Sequence, residues 1–366
     1  DDQLTFTGRT LNEQRQGGEL ATWENPFAEG AEHIQTARYE GGIGYRRMFS
    51  FGGEVTANFG YCHHDRSATN DTFVGDFLAT HGDAYPGSDQ LEPYLAVEEL
   101  TVADVSYVHP LGKHRLIGGV QVSRNTLEEK GMYLSVDEDD PNYGDPYRSE
   151  SEKSADEVGV YLQGEFAVMD NLELVAGARF DSHSSEDNFA GSGKVAAVGR
   201  NTLEYDETAV NPRLSVMYKP SEALTMRASA GTGFRVPYGF SEELHLCSGS
   251  PRVNKPAGLE PEKSISVNLG ADYVADRYML SANVFRTNLT DKIGLADAGD
   301  AVQKLGYTYE WENIGDAYTQ GIELGSSVLL MRDLELDLNL TYTDAQYEEE
   351  RADWVDAHAG KYAADS

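Results

Sequence analysis

The sequence is poor in cysteine, in positive charge and in long apolar runs. Only two of its 366 residues are cysteine, which excludes a disulfide-rich scaffold and a four-cysteine zinc site. Lys and Arg number 29 against 62 Asp and Glu, a formal net charge of −33, and nucleic acid repels so acidic a body. No stretch of about 18 apolar residues occurs, which excludes a transmembrane helix. A membrane-spanning β-barrel stays open, because barrel strands alternate apolar and polar residues.

Alternation with a period of two residues is the dominant pattern of the chain. In 334–343, leucines alternate with Glu, Asp, Asn and Thr, and the same pattern runs through 157–168, 224–230 and 264–273. Such alternation is typical of β-strands with one apolar face. No segment shows a convincing helical period with caps, and 21 Tyr, 13 Phe and 3 Trp are too many for a disordered chain. The sequence therefore predicts an all-β protein.

The pattern predicts about thirteen strands, joined alternately by short turns and long polar loops. We place the strands near 3–9, 36–49, 53–66, 97–109, 114–126, 156–168, 171–183, 208–219, 223–233, 264–275, 278–290, 308–331 and 334–346. We place the long loops near 10–35, 67–96, 127–155, 184–207, 234–263 and 291–307. This layout is typical of an outer-membrane barrel, whereas a propeller repeats four short strands every roughly 40–50 residues. We therefore predict a transmembrane antiparallel β-barrel that crosses a bacterial outer membrane many times.

The cost of placing charge in lipid decides which face points outward. A charge at the bilayer midplane destabilises a barrel by roughly 2–4 kcal/mol, so the Leu and Val faces point to lipid. The opposite faces then line the lumen, and they carry Glu165, Arg179, Arg227, Glu335 and Asp337. So polar a lumen needs a wide barrel, either water-filled or plugged. Because single-chain bacterial barrels usually have an even number of strands, we expect 1–366 to be one β-barrel domain, an incomplete stretch that lacks strands at both ends.

Three motifs follow one another between 231 and 323. They are Gly231-Thr232-Gly233-Phe234-Arg235-Val236-Pro237, then Leu259-Glu260-Pro261-Glu262-Lys263-Ser264, then Asn313-Ile314-Gly315 with Thr319-Gln320-Gly321-Ile322-Glu323. In this order and spacing they resemble the barrel motifs of TonB-dependent outer-membrane receptors. Val236 stands where that family usually has Ala, and Glu260 where it usually has Lys. The motif residues that match the family are Gly233, Phe234, Arg235, Pro237, Leu259, Pro261, Glu262, Asn313, Gly315, Gly321 and Glu323.

The resemblance implies a fold, a function and partners. The family encloses an N-terminal plug in a 22-stranded barrel, and it imports scarce nutrients, such as siderophore iron, haem or cobalamin, with energy from the inner membrane. The chain shows no recognisable plug and no energy-coupling box, so we expect the TonB energy-coupling protein to act through a plug outside it. Further expected partners are outer-membrane lipid and lipopolysaccharide, the small-molecule nutrient and a surface lipoprotein; nucleic acid is excluded.

The motifs also have a purely physical interpretation. Gly231 and Gly233 weaken side-chain packing at the end of a strand and mark a candidate bulge. Pro237, Pro256 and Pro261 lie where a strand ladder should stop, because proline has no N–H to donate to it. On this interpretation the motifs shape strand exits and a loop that returns over the rim of the barrel. A direct role in ligand binding is the alternative.

Aromatic and histidine side chains of the predicted outer loops are the candidate substrate-binding residues: Tyr133, Tyr143, Tyr147, Tyr238 and His245. Haem receptors of the family often place a ligating histidine between similar motifs, and neutral imidazole is a good iron ligand. The alternative for His245 is a surface or loop-packing histidine. His63 and His64 are a second candidate pair, but adjacent strand residues point to opposite faces and cannot share one metal unless the strand has ended.

Acidic residues are concentrated in the predicted loop 137–145. Calcium prefers several hard carboxylate oxygens, although the spacing does not match an EF-hand. The candidate calcium ligands are Asp137, Asp139, Asp140 and Asp145. A solvated acidic loop without a metal is the alternative. No other cofactor is predicted.

The two cysteines, Cys62 and Cys247, both fall on the predicted outer side of the barrel. Passage through the oxidising periplasm permits a disulfide, which would tie the loop 234–263 to the rim. Two free thiols, or pairing with segments outside the chain, are the alternatives. The sequence alone does not choose between them.

The sequence contains no nucleophile elbow, phosphate loop or zinc signature, and no spacing of Ser, His and acids singles out a catalytic triad. We therefore predict that the protein is not an enzyme. The predicted function is active import of a scarce nutrient across the outer membrane. A passive porin or an outer-membrane adhesin is the alternative, and the sequence does not identify the nutrient.

Overall fold

The computed structural model describes residues 1–17, 32–70, 94–134, 146–192, 200–238, 253–305 and 309–348, and most of them lie in strands. The first eight strands are β1 (Asp2–Gly17), β2 (Glu32–Met48), β3 (Glu54–Asn70), β4 (Tyr94–Leu111), β5 (His114–Leu134), β6 (Pro146–Met169), β7 (Leu172–Ser192) and β8 (Arg200–Tyr218). The others are β9 (Leu224–Arg235), β10 (Val253–Asn254), β11 (Glu262–Ala275), β12 (Tyr278–Thr290), β13 (Ile293–Asp297), β14 (Tyr309–Asn313), β15 (Ala317–Met331) and β16 (Leu334–Tyr347). One short helix, α1 (Asp300–Gln303), lies between β13 and β14. Among these residues, no helix is long and apolar enough to cross a bilayer.

Thirteen of these strands form one antiparallel sheet, as the sequence predicts. Its order is β1 to β9, then β11, β12, β15 and β16, so each strand pairs with its neighbour along the chain apart from the short strands that leave the sheet. Within the described residues β1 and β16 pair on one side only, so the sheet is not closed. The all-β prediction is confirmed, and the open sheet is that of a partial barrel wall.

Six tight turns lie at one end of the sheet, where the sequence predicts them. They connect β2 to β3, β4 to β5, β6 to β7, β8 to β9, β11 to β12 and β15 to β16. Gly52 and Gly112 occupy two of these turns with φ of 87° and 62°, a left-handed conformation that favours glycine. We call this the turn end of the sheet and the opposite end the loop end.

The strands extend further towards the loop end than predicted. The predicted loop 127–155 is an example, because β5 and β6 continue their pairing as far as Leu134 opposite Pro146. Residues 146–157 are polar on both faces, so their sequence lacks the alternation that marks a half-apolar strand. The backbone ladder does not need that alternation once the strands rise above the apolar belt. The predicted boundaries of 3–9 and 208–219 are too short for the same reason.

A second, smaller sheet replaces parts of two predicted loops and of one predicted strand. It has the order β10–β14–β13, with a parallel pair and an antiparallel pair. The predicted strand 308–331 is therefore wrong as one element: β14 leaves the main sheet and β15 belongs to it. Gly315, with φ of 104°, allows the chain to change direction between them. A compact apolar cluster of Leu259, Ile293 and Trp311 holds the small sheet on the main one.

One contact identifies the concave face of the main sheet. The hydroxyl of Tyr238, just after β9, donates to Asn125 Oδ1 on β5, four strands away, at 3.4 Å. Side chains this far apart in the sheet can meet only on the inner side of a curved wall. Followed through the ladder, the pairing register places the predicted lumen residues on the same face as Asn125: Glu165, Arg179, Arg227, Glu335 and Asp337. The leucines of β16 point the other way, as predicted for a lipid-facing surface.

Candidate functional site

Polar side chains at the loop end of the concave face are buried, although this face would be open in an empty barrel. Glu129, Ser149, His183, Ser185 and Asp187 each have less than a tenth of their surface exposed. Burying polar groups is costly unless they are hydrogen-bonded or serve a ligand, so their arrangement points to a purpose. We name the loop-end cluster by its members: Tyr94, Asn125, Glu129, Lys153, Glu157, His183, Ser185, Asp187, Tyr205, Tyr238 and Lys255.

Glu129 on β5 is held from two sides. The hydroxyl of Tyr94 on β4 donates to Glu129 Oε1 at 2.7 Å, and Lys153 Nζ on β6 donates to Glu129 Oε2. The Lys153 and Glu129 side chains are only 9% and 7% exposed. A buried ion pair with this additional hydrogen bond is geometrically fixed, because breaking it leaves an uncompensated charge.

His183 on β7 lies between a carboxylate and an aromatic ring. Its Nδ1 lies 3.0 Å from Glu157 Oε1 on β6, and its ring centroid lies 6.1 Å from that of Tyr238, edge to face. Since a carboxylate only accepts, Nδ1 of His183 is the donor in this hydrogen bond. Burial, together with the carboxylates of Glu98 and Asp187, holds the pKa of Tyr238 well above its usual range, so the phenol stays protonated.

Lys255, between β10 and β11, ties the returning chain to the barrel wall. Its Nζ donates to Asp187 Oδ2 on β7 at 3.2 Å and lies 5.5 Å from the ring centroid of Tyr205 on β8. The hydroxyl of Tyr205 donates to the carbonyl oxygen of Pro256 at 3.2 Å. Burial lowers the pKa of Lys255, although Asp187 acts in the opposite direction. These contacts place Lys255 and Pro256, which belong to the connection between β9 and β11, against the cluster.

The motif residues build the frame that carries this connection. Arg235 and Glu262 form a two-point ion pair, and Glu262 Oε1 also accepts the backbone N–H of Ile293 at 2.7 Å. Asn313 donates to the carbonyl oxygens of Glu260 and Asp291, at 2.9 and 2.7 Å. The physical interpretation of the motifs as strand exits and a returning loop therefore agrees with their contacts.

The remaining motif residues also make structural contacts. Pro237 is fully buried, and Leu259 belongs to the apolar cluster of the small sheet. A Cβ on Gly321 would lie 2.3 Å from the Tyr342 carbonyl oxygen and 2.7 Å from the Phe285 ring, so only glycine fits there. Further towards the turn end, Glu323 accepts a hydrogen bond from Asn283 at 3.0 Å.

The family model described as TonB-dependent receptor-like β-barrel matches residues 1–363. The chain belongs to this family. Its members are outer-membrane transport receptors and not enzymes, so the predictions of location and of the absence of catalysis agree with the match. The chain is therefore part of an outer-membrane β-barrel, with its loop end towards the cell exterior and its turn end towards the periplasm.

The curated proteins to which the chain is similar include an iron-regulated outer membrane protein and a ferric enterobactin receptor. The chain is 24% identical over 307 residues to the iron-regulated outer membrane virulence protein of Vibrio cholerae serotype O1, which covers 78% of this chain and 42% of the relative. It is 24% identical over 210 residues to the ferric enterobactin receptor of Pseudomonas aeruginosa, covering 52% of the chain and 26% of the relative. The chain thus spans less than half the length of these curated relatives.

Solved structures of the family share the fold. The FrpB iron transporter from Neisseria meningitidis superposes with a TM-score of 0.65 at 16% identity, covering 94% of this chain and 49% of that one. The copper transporter OprC gives the same TM-score at 16% identity, covering 95% and 51%. At such identities the likeness shows the barrel fold alone.

The substrate-binding residues predicted from the sequence lie in different parts of the chain, and the structure describes only some of them. Tyr238 lies in the loop-end cluster. Tyr133 and Tyr147 lie directly opposite each other in the ladder of β5 and β6. Tyr143 and His245 lie outside the described residues, as do the candidate calcium ligands Asp137, Asp139, Asp140 and Asp145. All of these assignments stay predictions.

The predicted histidine pair and disulfide depend on β3. His64 faces inward, with Nδ1 3.6 Å from Glu98 Oε2, whereas His63 faces outward between Glu99 and Asp65, so the two do not share a site. Cys62 forms no disulfide with any described residue, and Cys247 lies outside the described residues, so their pairing stays a prediction. The described stretches contain no group of three or more His, Cys, Asp or Glu side chains arranged to hold a metal ion.

Sequence reasoning missed most of the loop-end cluster. His183, Ser185 and Asp187 continue the inward alternation of Arg179 and Asp181, so the period of β7 contained the signal. The signal does not show in the sequence analysis because the predicted loop 184–207 covers the last part of β7, which runs to Ser192. Lys255 carried no local signal at all, because only the tertiary return of its segment brings it to Asp187.

Proposed function

We propose that the protein containing this chain is a TonB-dependent transporter that imports a ferric siderophore across the outer membrane. The observation that carries the proposal is the buried polar cluster at the outer end of the lumen wall, in a chain that belongs to a receptor family. The names of the relatives add the substrate class, since they include a ferric enterobactin receptor and two siderophore receptors. Receptor membership favours active uptake over the porin and adhesin alternatives.

The loop-end cluster is suited to contact a solute. His183 Nε2, Ser185 Oγ and Asp187 Oδ1 are buried without a hydrogen-bond partner in the part of the chain that the structure describes. They follow one another at every second residue of β7 and share its concave face. His183 and Asp187 are each fixed through their second polar atom, by Glu157 and Lys255. An arrangement that fixes one atom and leaves the other unpaired is pre-organised for hydrogen bonds with a ligand.

On this proposal the solute approaches from outside and meets the described part of the connection between β9 and β11. Tyr238 and Lys255 of this connection cover His183 and Asp187, so the solute exchanges protein contacts for its own hydrogen bonds. Energy from the inner membrane then reaches the receptor through TonB and a plug outside this chain. Iron is cargo on this account and not a resident cofactor.

The test is uptake of radioactive iron by cells that lack their own siderophore receptors and express the full protein. Ferric enterobactin, ferrioxamine B and haem are supplied separately, and labelled cobalamin tests the vitamin alternative. We expect uptake of a ferric siderophore that stops when an uncoupler collapses the proton-motive force. Uptake of haem or cobalamin alone would contradict the substrate class, and uptake that survives the uncoupler would contradict active transport.

Variants in the cluster add a local control. Asp187→Asn keeps the size of the side chain and removes its charge, and we expect a higher KM for the transported complex. Ser184→Ala changes the neighbouring residue on the convex face of β7 and should leave uptake unchanged. Equal effects of the two substitutions would contradict a role of the concave face.

A further inference from the structure

The convex face of β12 carries an arginine whose charge has no carboxylate partner among the residues that the structure describes. Arg286 donates through Nε to Asn288 Oδ1 at 2.8 Å and through Nη1 to Gln320 Oε1 at 2.9 Å. Its guanidinium also lies 4.5 Å from the ring centroid of Tyr318. All of these partners are neutral, so they fix the guanidinium without compensating its charge.

The position of Arg286 is at the upper edge of the apolar belt. Towards the periplasm the same face of β12 presents Val284 and Leu280, and the neighbouring β15 presents Ile322 and Leu324, all of them exposed. Towards the cell exterior this face becomes polar, with Asn288, Gln320 and Tyr318. This boundary is the level at which the headgroups of outer-leaflet lipids meet a membrane barrel.

The neighbouring strand adds a second outward cation. Lys263 on β11 is exposed, lies opposite Thr290 of β12, and makes no ion pair with any described residue. Thr290 is four residues beyond Arg286, which at about 3.3 Å per residue places the two cations about 13 Å apart along the strands. The guanidinium of Arg286 is held on the side of Asn288, towards the exterior, and the long side chain of Lys263 can approach the same large headgroup from the other side.

Two other outward cations at the loop end, both on β5, are compensated. On β5, Arg124 lies 3.6 Å from Asp156 and Lys130 lies 3.5 Å from Glu150. In a chain with 62 acidic and 29 basic residues, a carboxylate partner is the ordinary expectation for a surface cation. The carboxylate nearest in the ladder, Asp344, instead accepts from Gln320 and Gln346, at 3.1 and 2.8 Å.

We propose that Arg286 and Lys263 form a binding site for a phosphate group of lipopolysaccharide in the outer leaflet. The planar guanidinium offers paired N–H donors that match phosphate oxygens, and Lys263 adds a second point charge. The stacked ring of Tyr318 and the two amide oxygens hold the guanidinium ready, which lowers the entropic cost of binding. Because the rest of the chain is strongly acidic and repels an anionic lipid, these two cations supply the local attraction that a phosphate group needs.

The test uses the purified full protein in detergent and counts bound lipid by native mass spectrometry. The probes are diphosphorylated lipid A and the same lipid without its phosphates. We expect the wild-type protein to bind the phosphorylated form more tightly and Arg286→Gln to weaken that binding about fivefold, the effect of about one cation at a membrane surface. Arg124→Gln is the matched control, an outward arginine that already has a carboxylate partner, and it should leave binding unchanged.

Three results would overturn the proposal. The first is equal wild-type binding of the two lipids, a comparison that does not depend on any variant folding. The second is equal weakening by Arg286→Gln and Arg124→Gln, which would show that net charge acts and not this site. The third is displacement of lipid A by millimolar inorganic phosphate, which would identify a site for the free anion. Heat-modifiable gel mobility confirms that each variant forms a barrel.

Discussion

Arg235 on β9 and Glu262 on β11 stand directly opposite each other and form two parallel hydrogen bonds, Nε to Oε2 at 2.7 Å and Nη2 to Oε1 at 3.0 Å. The Glu262 side chain is only 9% exposed. Its Oε1 also accepts the backbone N–H of Ile293 at 2.7 Å and lies 3.7 Å from Lys292 Nζ. The pair joins the end of the main sheet to the small sheet. It thereby fixes the point from which the connection over the loop-end cluster departs.

Arg235→Ala should lower the free energy of unfolding by about 1–3 kcal/mol, because it leaves a buried carboxylate without its strongest donor. Arg235 is 40% exposed, so solvent screening keeps the loss below that of a fully buried pair. Denaturant unfolding in lipid vesicles measures it. The control is Arg124→Ala, whose partner Asp156 is well exposed, with an expected loss below about 1 kcal/mol. Equal losses would contradict a structural role for the motif pair.

Tyr238 should protect His183 from chemical modification. His183 is 2% exposed and packs against the Tyr238 ring, whereas His63 on the convex face is 29% exposed. We expect diethyl pyrocarbonate to modify His63 much faster than His183 in the wild type, as mapped by mass spectrometry. Tyr238→Ala should accelerate modification at His183 and leave His63 as the internal reference. An unchanged rate at His183 would show that other residues cover it.

Lys255 should make stability depend on pH in the alkaline range. Burial lowers its pKa in the folded protein from the ordinary value of 10.5. Between the folded and the unfolded pKa the unfolded chain binds a proton that the folded chain does not, so the unfolding free energy rises with pH. The cost of burying the charged form of Lys255 is fully present below its pKa in the folded protein.

The measurement is the difference in unfolding free energy between wild type and Lys255→Met as the pH approaches 10.5. We expect the wild type to gain stability relative to the variant over this window. A difference that stays constant or falls would contradict a lowered Lys255 pKa.

The register of β16 is tested by cysteine labelling from water. In a background without the two native cysteines, Asp337→Cys should react with a membrane-impermeant maleimide before Leu336→Cys and Leu338→Cys do. The reason is that Asp337 shares the concave face while its neighbours point to lipid. The reverse order of labelling would place the whole sheet in the opposite orientation.

The barrel wall was predictable because lipid imposes a strict rule on each strand. In 334–343 every second residue is apolar, and a single wrong register would place Asp337 in the bilayer. The turns were predictable because short breaks interrupt these runs at regular places. Above the membrane the rule disappears, so the sequence predicts a loop over 146–155 although its backbone is fully paired.

The loop-end cluster was not predictable from local sequence, because tertiary contacts create it. Lys255 and Asp187 are 68 residues apart, and Tyr238 and Asn125 are 113 apart. The small sheet was missed for a similar reason, since β10 has only two residues and is held by its pairing with β14, more than 50 residues further along the chain. By contrast, the motifs were visible in the sequence because Arg235, Glu262 and Asn313 each have a fixed structural partner.

The most direct test of the central proposal is to locate iron in crystals of the full protein grown with a transported ferric siderophore. Anomalous scattering at the iron absorption edge marks the metal without any assumption about the ligand. The account predicts one strong peak inside the barrel at the loop end, with the siderophore in contact with Tyr238 or with the β7 row of His183, Ser185 and Asp187. A ligand bound with none of these residues in contact, or on the convex face, would contradict it.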